Sequence, residues 1–149
     1  MRVTVQRVSE ADVTVDTRVV GAIGPGLLVY VGVGTDDGPA DVVYVADKIA
    51  ALRIFNDDDG KMNRDVRETT GDVLVISAFA LQADARKGRR PSFDAAAEPA
   101  LAKHLYEELC AALVERGLHV EQGVFRAPMK VRSINDGPIC VLLDSKKTF

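Results

Sequence analysis

Apolar and polar positions alternate from the first residues. Val3, Val5 and Val8, with polar residues between them, predict a first strand. Ser9-Glu10-Ala11-Asp12 has turn composition, and Val13 and Val15 predict a second strand after it. Val19, Val20 and Ile23 continue the β pattern up to a turn at Gly24-Pro25-Gly26. Leu27 to Val33 is almost continuously apolar and predicts a central strand. Arg7 interrupts the first strand, and an arginine there is most often an edge or surface residue.

Gly38-Pro39 starts a helix with proline in its first turn. Val42, Val43, Val45, Ala46, Ile49, Ala50 and Leu52 carry its stripe through Arg53. Ile54-Phe55 reads as a short strand. Asn56-Asp57-Asp58-Asp59-Gly60 suggests a calcium loop, but the register puts Phe55 at the first ligand and Val66 at the bidentate one, so a turn is expected. Val73 to Ile76 predicts a strand buried on both faces. A helix can begin at Asp94, and Glu98-Pro99 also fits a start. Leu101, Leu105, Leu109 and Leu113 repeat at helical spacing, and Gly117 fits the end. Leu118 to Phe125 and Met129 to Ile134 read as short strands. Asn135-Asp136-Gly137-Pro138 then leads into the apolar run Ile139 to Leu143. Gly-Pro between two β segments is usually a tight turn, and its bond can be cis.

The 149 residues, 47% of them apolar and 28% charged, fit a single α/β domain over 1–149. No apolar run approaches the ~20 residues of a membrane helix, and the first residues carry no signal pattern. Two cysteines are too few for a disulfide framework, so a reducing cytoplasm is expected. The net charge of −3 argues against broad nucleic-acid binding but allows a local basic patch. Gly32 and Gly34 begin a dinucleotide fingerprint, yet Asp37 stands where the third glycine belongs. His104 and His119 lack a ligand-partner pattern, and no metal or cofactor is expected.

The stretch from Val73 to Phe93 changes character twice. A buried strand ends in Ser77-Ala78-Phe79-Ala80, small residues around one ring. Arg86, Lys87, Arg89 and Arg90 then put four cations around Gly88. A small-residue floor beside a cationic loop suits an anionic ligand. A core strand followed by a solvated loop accounts for the same residues.

Five blocks carry a resemblance: Val-Gln-Arg-Val at 5–8, Lys-Met-Asn-Arg at 61–64, Ser-x-Phe-x-Leu at 77–81, Ala-Asp-x-Arg-Lys-Gly-Arg-Arg-Pro-Ser-Phe at 83–93, and Asn-Asp-Gly-Pro at 135–138. In this order, and over the whole chain, they resemble D-aminoacyl-tRNA deacylases. The resemblance implies a compact α/β fold of layered sheets with helices on one side, assembled as a homodimer. It implies hydrolysis of the ester joining a D-amino acid, or glycine, to the terminal adenosine of tRNA. It places the pocket at Ser77, Ala78, Phe79 and Ala80, acting mainly through the backbone. A cis Gly137-Pro138, held by Arg7, is then a gate that reaches into the other subunit and excludes L-amino acids. Arg86, Lys87, Arg89, Arg90 and Met129 are the expected tRNA and substrate contacts. The chain departs from the family pattern: Ala78 and Ala80 replace a glutamine and a threonine, Ile139-Cys140 replaces Val-Thr, and Arg126 stands in a Gly-x-Phe-Gly-Ala segment.

Ester hydrolysis needs a water, a route for its proton and stabilisation of the oxyanion. No Ser-His or Cys-His arrangement is legible, while the N–H groups of Phe79 and Ala80 and the substrate's own 2′-hydroxyl can serve. Phe79 can stack on the adenine or pack in the core. Cys140 is expected to be buried and unreactive. The two alanines leave a second class open, a protein that binds aminoacyl-tRNA or another RNA without efficient turnover.

Overall fold

A computed structural model describes residues 1–149. Strand β1 runs unbroken from Arg2 to Val15. The expected turn at Ser9–Asp12 does not form, because β1 has partners along its whole length. On one side it pairs with β3 (Gly26–Gly32) over Arg2 to Val8, then with β2 (Arg18–Ile23) over Ala11 to Val15. On the other it pairs with β8 (Lys130–Asp144). The polar residues that imitate a turn face out, where Asp12 and Glu10 pair with Arg132 of β8 at 2.6 and 3.7 Å. Asp16 and Thr17, both with positive φ, make the two-residue reversal into β2.

The central sheet is mixed. β3 lies parallel to β6 (Asp72–Ser77), and β6 parallel to β7 (Val120–Gln122). Val73, Leu74, Val75 and Ile76 are all buried, as the unbroken apolar run requires. Between β3 and β6 come helix α1 (Pro39–Ala51) and a small hairpin of β4 (Phe55–Asn56) and β5 (Met62–Arg64). The acidic residues 56–60 form its turn, with Asp57 Oδ1 accepting from the Asp59 and Lys61 N–H groups. Helix α2 runs from Pro99 to Glu115, so the Glu98-Pro99 start is the one used and Asp94 lies before it.

Both helices pack on one face of the sheet. Leu105, Leu109 and Leu113 of α2 and Val45 and Ile49 of α1 join Val5, Val29 and Val75 in the main core. Truncating one such leucine costs about 2–5 kcal/mol. On the other face β2 folds back over β6 and β7, so the sheet nearly closes around a second core of Val8, Ala11, Val13, Ile23, Leu28, Leu74 and Ile76. The architecture is the mixed α/β fold that the sequence implies.

Strand β8 contains the second departure from expectation. Gly137-Pro138 does not reverse the chain. Asn135 pairs with Val8 and Cys140 with Gln6, so residues 136–139 bulge out of a strand that continues in the same direction. The Gly137-Pro138 bond is cis, as the resemblance implies.

Candidate functional site

The site is built where β6 ends. Its last residue, Ser77, lies beside Val31 of β3, and the next N–H, that of Ala78, donates to the Val31 carbonyl at 2.7 Å. The chain then tightens into a 3₁₀ turn, Phe79–Gln82. Gln82 anchors it by donating from Nε2 to the Gly32 carbonyl at 2.7 Å. Gly32 lets the turn sit flush on β3: a Cβ there would lie 2.8 Å from Leu81 Cβ and 2.9 Å from the Ala78 carbonyl oxygen. The first N–H groups of a helical turn have no acceptor within it. Ala78 has spent its N–H on β3, and Leu81 donates back to Ala78 at 3.1 Å. The N–H groups of Phe79 and Ala80 remain, side by side.

Both residues line a cleft of ≈ 460 Å³. Its floor is Ser77 to Ala80, one wall is Pro99, Ala102 and Tyr106 of α2, and the other is Phe125, Arg126 and Met129. Most of the lining is apolar. Tyr106 fixes the back of the cleft, donating from its hydroxyl to the Val75 carbonyl at 2.8 Å and leaning on Phe125 with ring centroids 6.1 Å apart. Burial pushes the Tyr106 hydroxyl well above its ordinary range and the neighbouring Cys110 thiol up to about 12, so both stay protonated.

Phe79 is 64% exposed, which decides against core packing. It meets Phe93 edge-on at 5.0 Å, a two-ring platform at the cleft mouth. Between these rings runs the cationic loop, closed at its base by two backbone hydrogen bonds between Asp84 and Ser92 at 2.8 and 2.9 Å. Its four cations are not equivalent. Arg86 is already engaged by Asp84, at 2.9 Å from Nε and 2.6 Å from Nη2, and this pairing holds the aspartate carboxyl well below the usual range. Lys87, Arg89 and Arg90 are exposed, and none has a carboxylate partner.

No conventional catalytic set converges here. Ser77 lines the cleft, but no histidine does. His104 and His119 lie on exposed faces beside Glu108 and Glu121 at 3.2 and 3.1 Å. No three His, Cys, Asp or Glu side chains are grouped to hold a metal. Gly32 and Gly34 are packed by Leu81, Ala78, Gln82 and Asp37 rather than opening a phosphate loop.

The Gly137-Pro138 excursion belongs to a different part of the surface. Asn135 clasps it, its Oδ1 accepting from the Ile139 N–H at 2.8 Å and its Nδ2 donating to the Ile139 carbonyl at 3.3 Å. Arg7 lies directly opposite. It is 8% exposed rather than a surface residue, and it donates from Nε to the Asp136 carbonyl at 2.9 Å and from Nη1 to the Ile54 carbonyl at 2.7 Å. Arg7 pairs with Leu27, whereas the cleft opens at Val31 and Val33, about 13 Å further along the sheet by strand rise. Neither Gly137 nor Pro138 lines this chain's own cleft. Cys140 is exposed, contrary to expectation, because β8 is an edge strand whose alternate residues face outward. Sequence reasoning missed Asn135, Tyr106, Gln82 and the Phe93 partner of Phe79. Asn135 alone carried a usable signal, an Asn ahead of Gly-Pro that can clasp a turn.

Known proteins resemble this chain in sequence and in fold. The relative from Anaeromyxobacter dehalogenans, a "D-aminoacyl-tRNA deacylase", is 58% identical over all of both chains. That from Thermotoga petrophila, with the same name, is 56% identical over the same span. Among solved structures, the c-Myc DNA Unwinding Element Binding Protein superposes with a TM-score of 0.91 at 33% identity, covering 97% of this chain and 98% of that one. A probable eukaryotic D-amino acid tRNA deacylase gives 0.81 at 19% identity, covering 95% and 97%, and shares the fold. The family model described as D-Tyr-tRNA(Tyr) deacylase matches residues 4–144, and the chain belongs to that family.

Proposed function

We propose that the protein hydrolyses the ester bond of D-aminoacyl-tRNA, a proofreading step in translation. The observation that carries this reading is the pair of unspent N–H groups, Phe79 and Ala80, at the floor of an apolar cleft flanked by unpaired cations. The names of the full-length relatives support it.

The acyl group enters the cleft with its carbonyl oxygen toward the two N–H groups. Water adds to the carbonyl carbon, and the oxygen, now an oxyanion, accepts from both. Such preorganised donors stabilise charge that develops only in the transition state. The vicinal 2′-hydroxyl of the terminal ribose relays the proton from the water. The ester C–O bond then breaks, the 3′-oxygen takes the proton, and a free D-amino acid and tRNA leave. Phe79 and Phe93 offer a stacking surface to the adenine, and Lys87, Arg89 and Arg90 meet acceptor-end phosphates.

Selectivity comes from a second copy of the chain. The Gly137-Pro138 excursion is remote from its own cleft, and β8 presents exposed Ile134 and Leu142, 54% and 59% exposed, beside it. These features support a homodimer in which each excursion closes the partner's cleft. A main-chain gate rejects an L-side chain sterically, tolerates varied D-side chains, and passes glycine. Light scattering that shows only monomer at micromolar protein overturns this part. No helix is long and apolar enough to cross a membrane, and a tRNA substrate supports work in the cytoplasm.

The decisive experiment is hydrolysis of D- against L-aminoacyl-tRNA by the purified protein. Release of the D-amino acid alone is expected, and equal release of both overturns the reading. Ala78 and Ala80 favour a second reading, because the floor lacks two polar side chains of the family pattern. A protein that binds without turnover retains charged D-aminoacyl-tRNA on a filter and releases no amino acid.

A further inference from the structure

Arg126 is the one cation built into the cleft wall itself, and nothing in the mechanism uses it. It lines the apolar cleft and also an adjoining, more polar groove between the start of α2 and the segment after β7. Its φ of +64° lies in the left-handed region, where a glycine is the easy choice and a long side chain is not. Its guanidinium is exposed and has no carboxylate partner in the structure. The other cation on the groove, Lys103, lies 3.7 Å from Glu107 in an exposed pair. An unpaired guanidinium at the junction of an apolar acyl cleft and a polar groove stands where a substrate would change from amino acid to nucleic-acid backbone.

We infer that Arg126 is a substrate-contacting residue that binds the phosphodiester 5′ of the terminal adenosine, and that the adjoining groove takes the penultimate nucleotide. The inference rests on the deacylase reading of the cleft. The guanidinium suits this task because its planar fork engages two phosphate oxygens at once. A carboxylate side chain on the amino acid is the less suitable anion, since it would have to cross the apolar floor unpaired. The contact also explains how a floor stripped to Ala78 and Ala80 can hold its substrate: affinity moves from polar side chains under the acyl group to a phosphate one step away.

The test compares a D-aminoacyl-tRNA with the corresponding D-aminoacyl-adenosine, which has no phosphate. Arg126→Gly suits the backbone at positive φ, so the variant is expected to keep its melting temperature. Its kcat/KM should fall about tenfold on the tRNA, the worth of one charge-assisted contact, and change little on the aminoacyl-adenosine. The slope of log kcat/KM against log salt should flatten by about 0.7, one single-strand phosphate, and Arg126→Lys should restore most of it. Equal losses on both substrates, or an unchanged salt slope, overturn the inference. If the wild type hydrolyses neither substrate, the deacylase reading fails by itself. The phosphate contact is then read from binding of an uncharged hairpin RNA with a single-stranded CCA end, where the same flattening supports it and an unchanged slope overturns it.

Discussion

Arg7 holds the backbone at Asp136 from across the sheet, its Nε donating to that carbonyl at 2.9 Å. The same guanidinium is tied to the Ile54 carbonyl at 2.7 Å, so the excursion on β8 is fixed to the chain beyond α1. A lysine has one ammonium and cannot span both acceptors in this fork. Arg7→Lys should fold with a loss of about 1–3 kcal/mol, read from urea denaturation. Its ratio of D- to L-ester hydrolysis should fall at least tenfold. Unchanged chiral discrimination in a folded Arg7→Lys protein would count against the gate.

Gly32→Ala tests the floor from beneath. The added methyl collides with Leu81 and the Ala78 carbonyl and must lift the 3₁₀ turn. Displacing the Phe79 and Ala80 N–H groups by about 1 Å should cost on the order of 10²-fold in kcat. The predicted loss in stability is smaller, about 1–3 kcal/mol. A variant with full activity would mean that the turn is not the oxyanion site.

Side-chain nucleophiles are expected to be dispensable. Ser77→Ala and Cys140→Ser should each retain most of the deacylation rate. Ser77 has no histidine on the cleft to activate it, and Cys140 lies outside the lining. A substrate whose terminal ribose is 2′-deoxy should be turned over at least a hundredfold more slowly, given the usual contribution of a positioned proton-transfer group. If Cys140→Ser abolishes turnover and the deoxy substrate reacts normally, the reaction runs through a thioester instead.

Acid should unfold the protein partly through Asp41. Burial raises the pKa of its carboxyl, but hydrogen bonds from Ser145, Lys146 and the Gly38 N–H outweigh that and hold it at about 2. A folded pKa below the unfolded value contributes stability at neutral pH that is lost as pH falls from about 4 to 2. Lys146 is partly exposed, so the contribution is on the order of 1 kcal/mol. Asp41→Asn should therefore be less stable than wild type at pH 7 and nearly equal to it at pH 2. A constant difference across that window would remove Asp41 as a cause.

The elements easiest to read were those whose burial is total or strictly periodic. Val73 to Ile76 and Leu105, Leu109 and Leu113 leave little choice of structure. Ser9 to Asp12 misled because polar alternation in a two-sided strand looks like a turn until its cross-strand partner, Arg132, is known. The Gly137-Pro138 segment misled for a related reason: a local turn signal was answered by distant groups, Arg7 and the Asn135 clasp, that keep the strand running on. At the site, the small floor and the cations were visible in one dimension. The capture of Arg86 by Asp84 depends on how the loop folds back, and the wall made by Tyr106 and Phe125 on how α2 packs against the segment after β7, and spacing shows neither.

The long pairing of β1 with β8 has a consequence for how the protein is made. Arg2 pairs with Asp144 and Thr14 with Lys130, so β1 finds its second neighbour only after residues 16–129 have been synthesised behind it. At ordinary elongation rates that delay is on the order of ten seconds. During it, one whole edge of β1 stands open beside the hairpin it has already formed with β2 and β3. A nascent chain stalled before Lys130 would carry the complete cleft floor, yet lack both the excursion that Arg7 holds and the strand that covers this edge. Such a fragment would meet the cell as an unpaired strand edge prone to pairing with other chains, so β8 protects the chain as well as carrying the excursion.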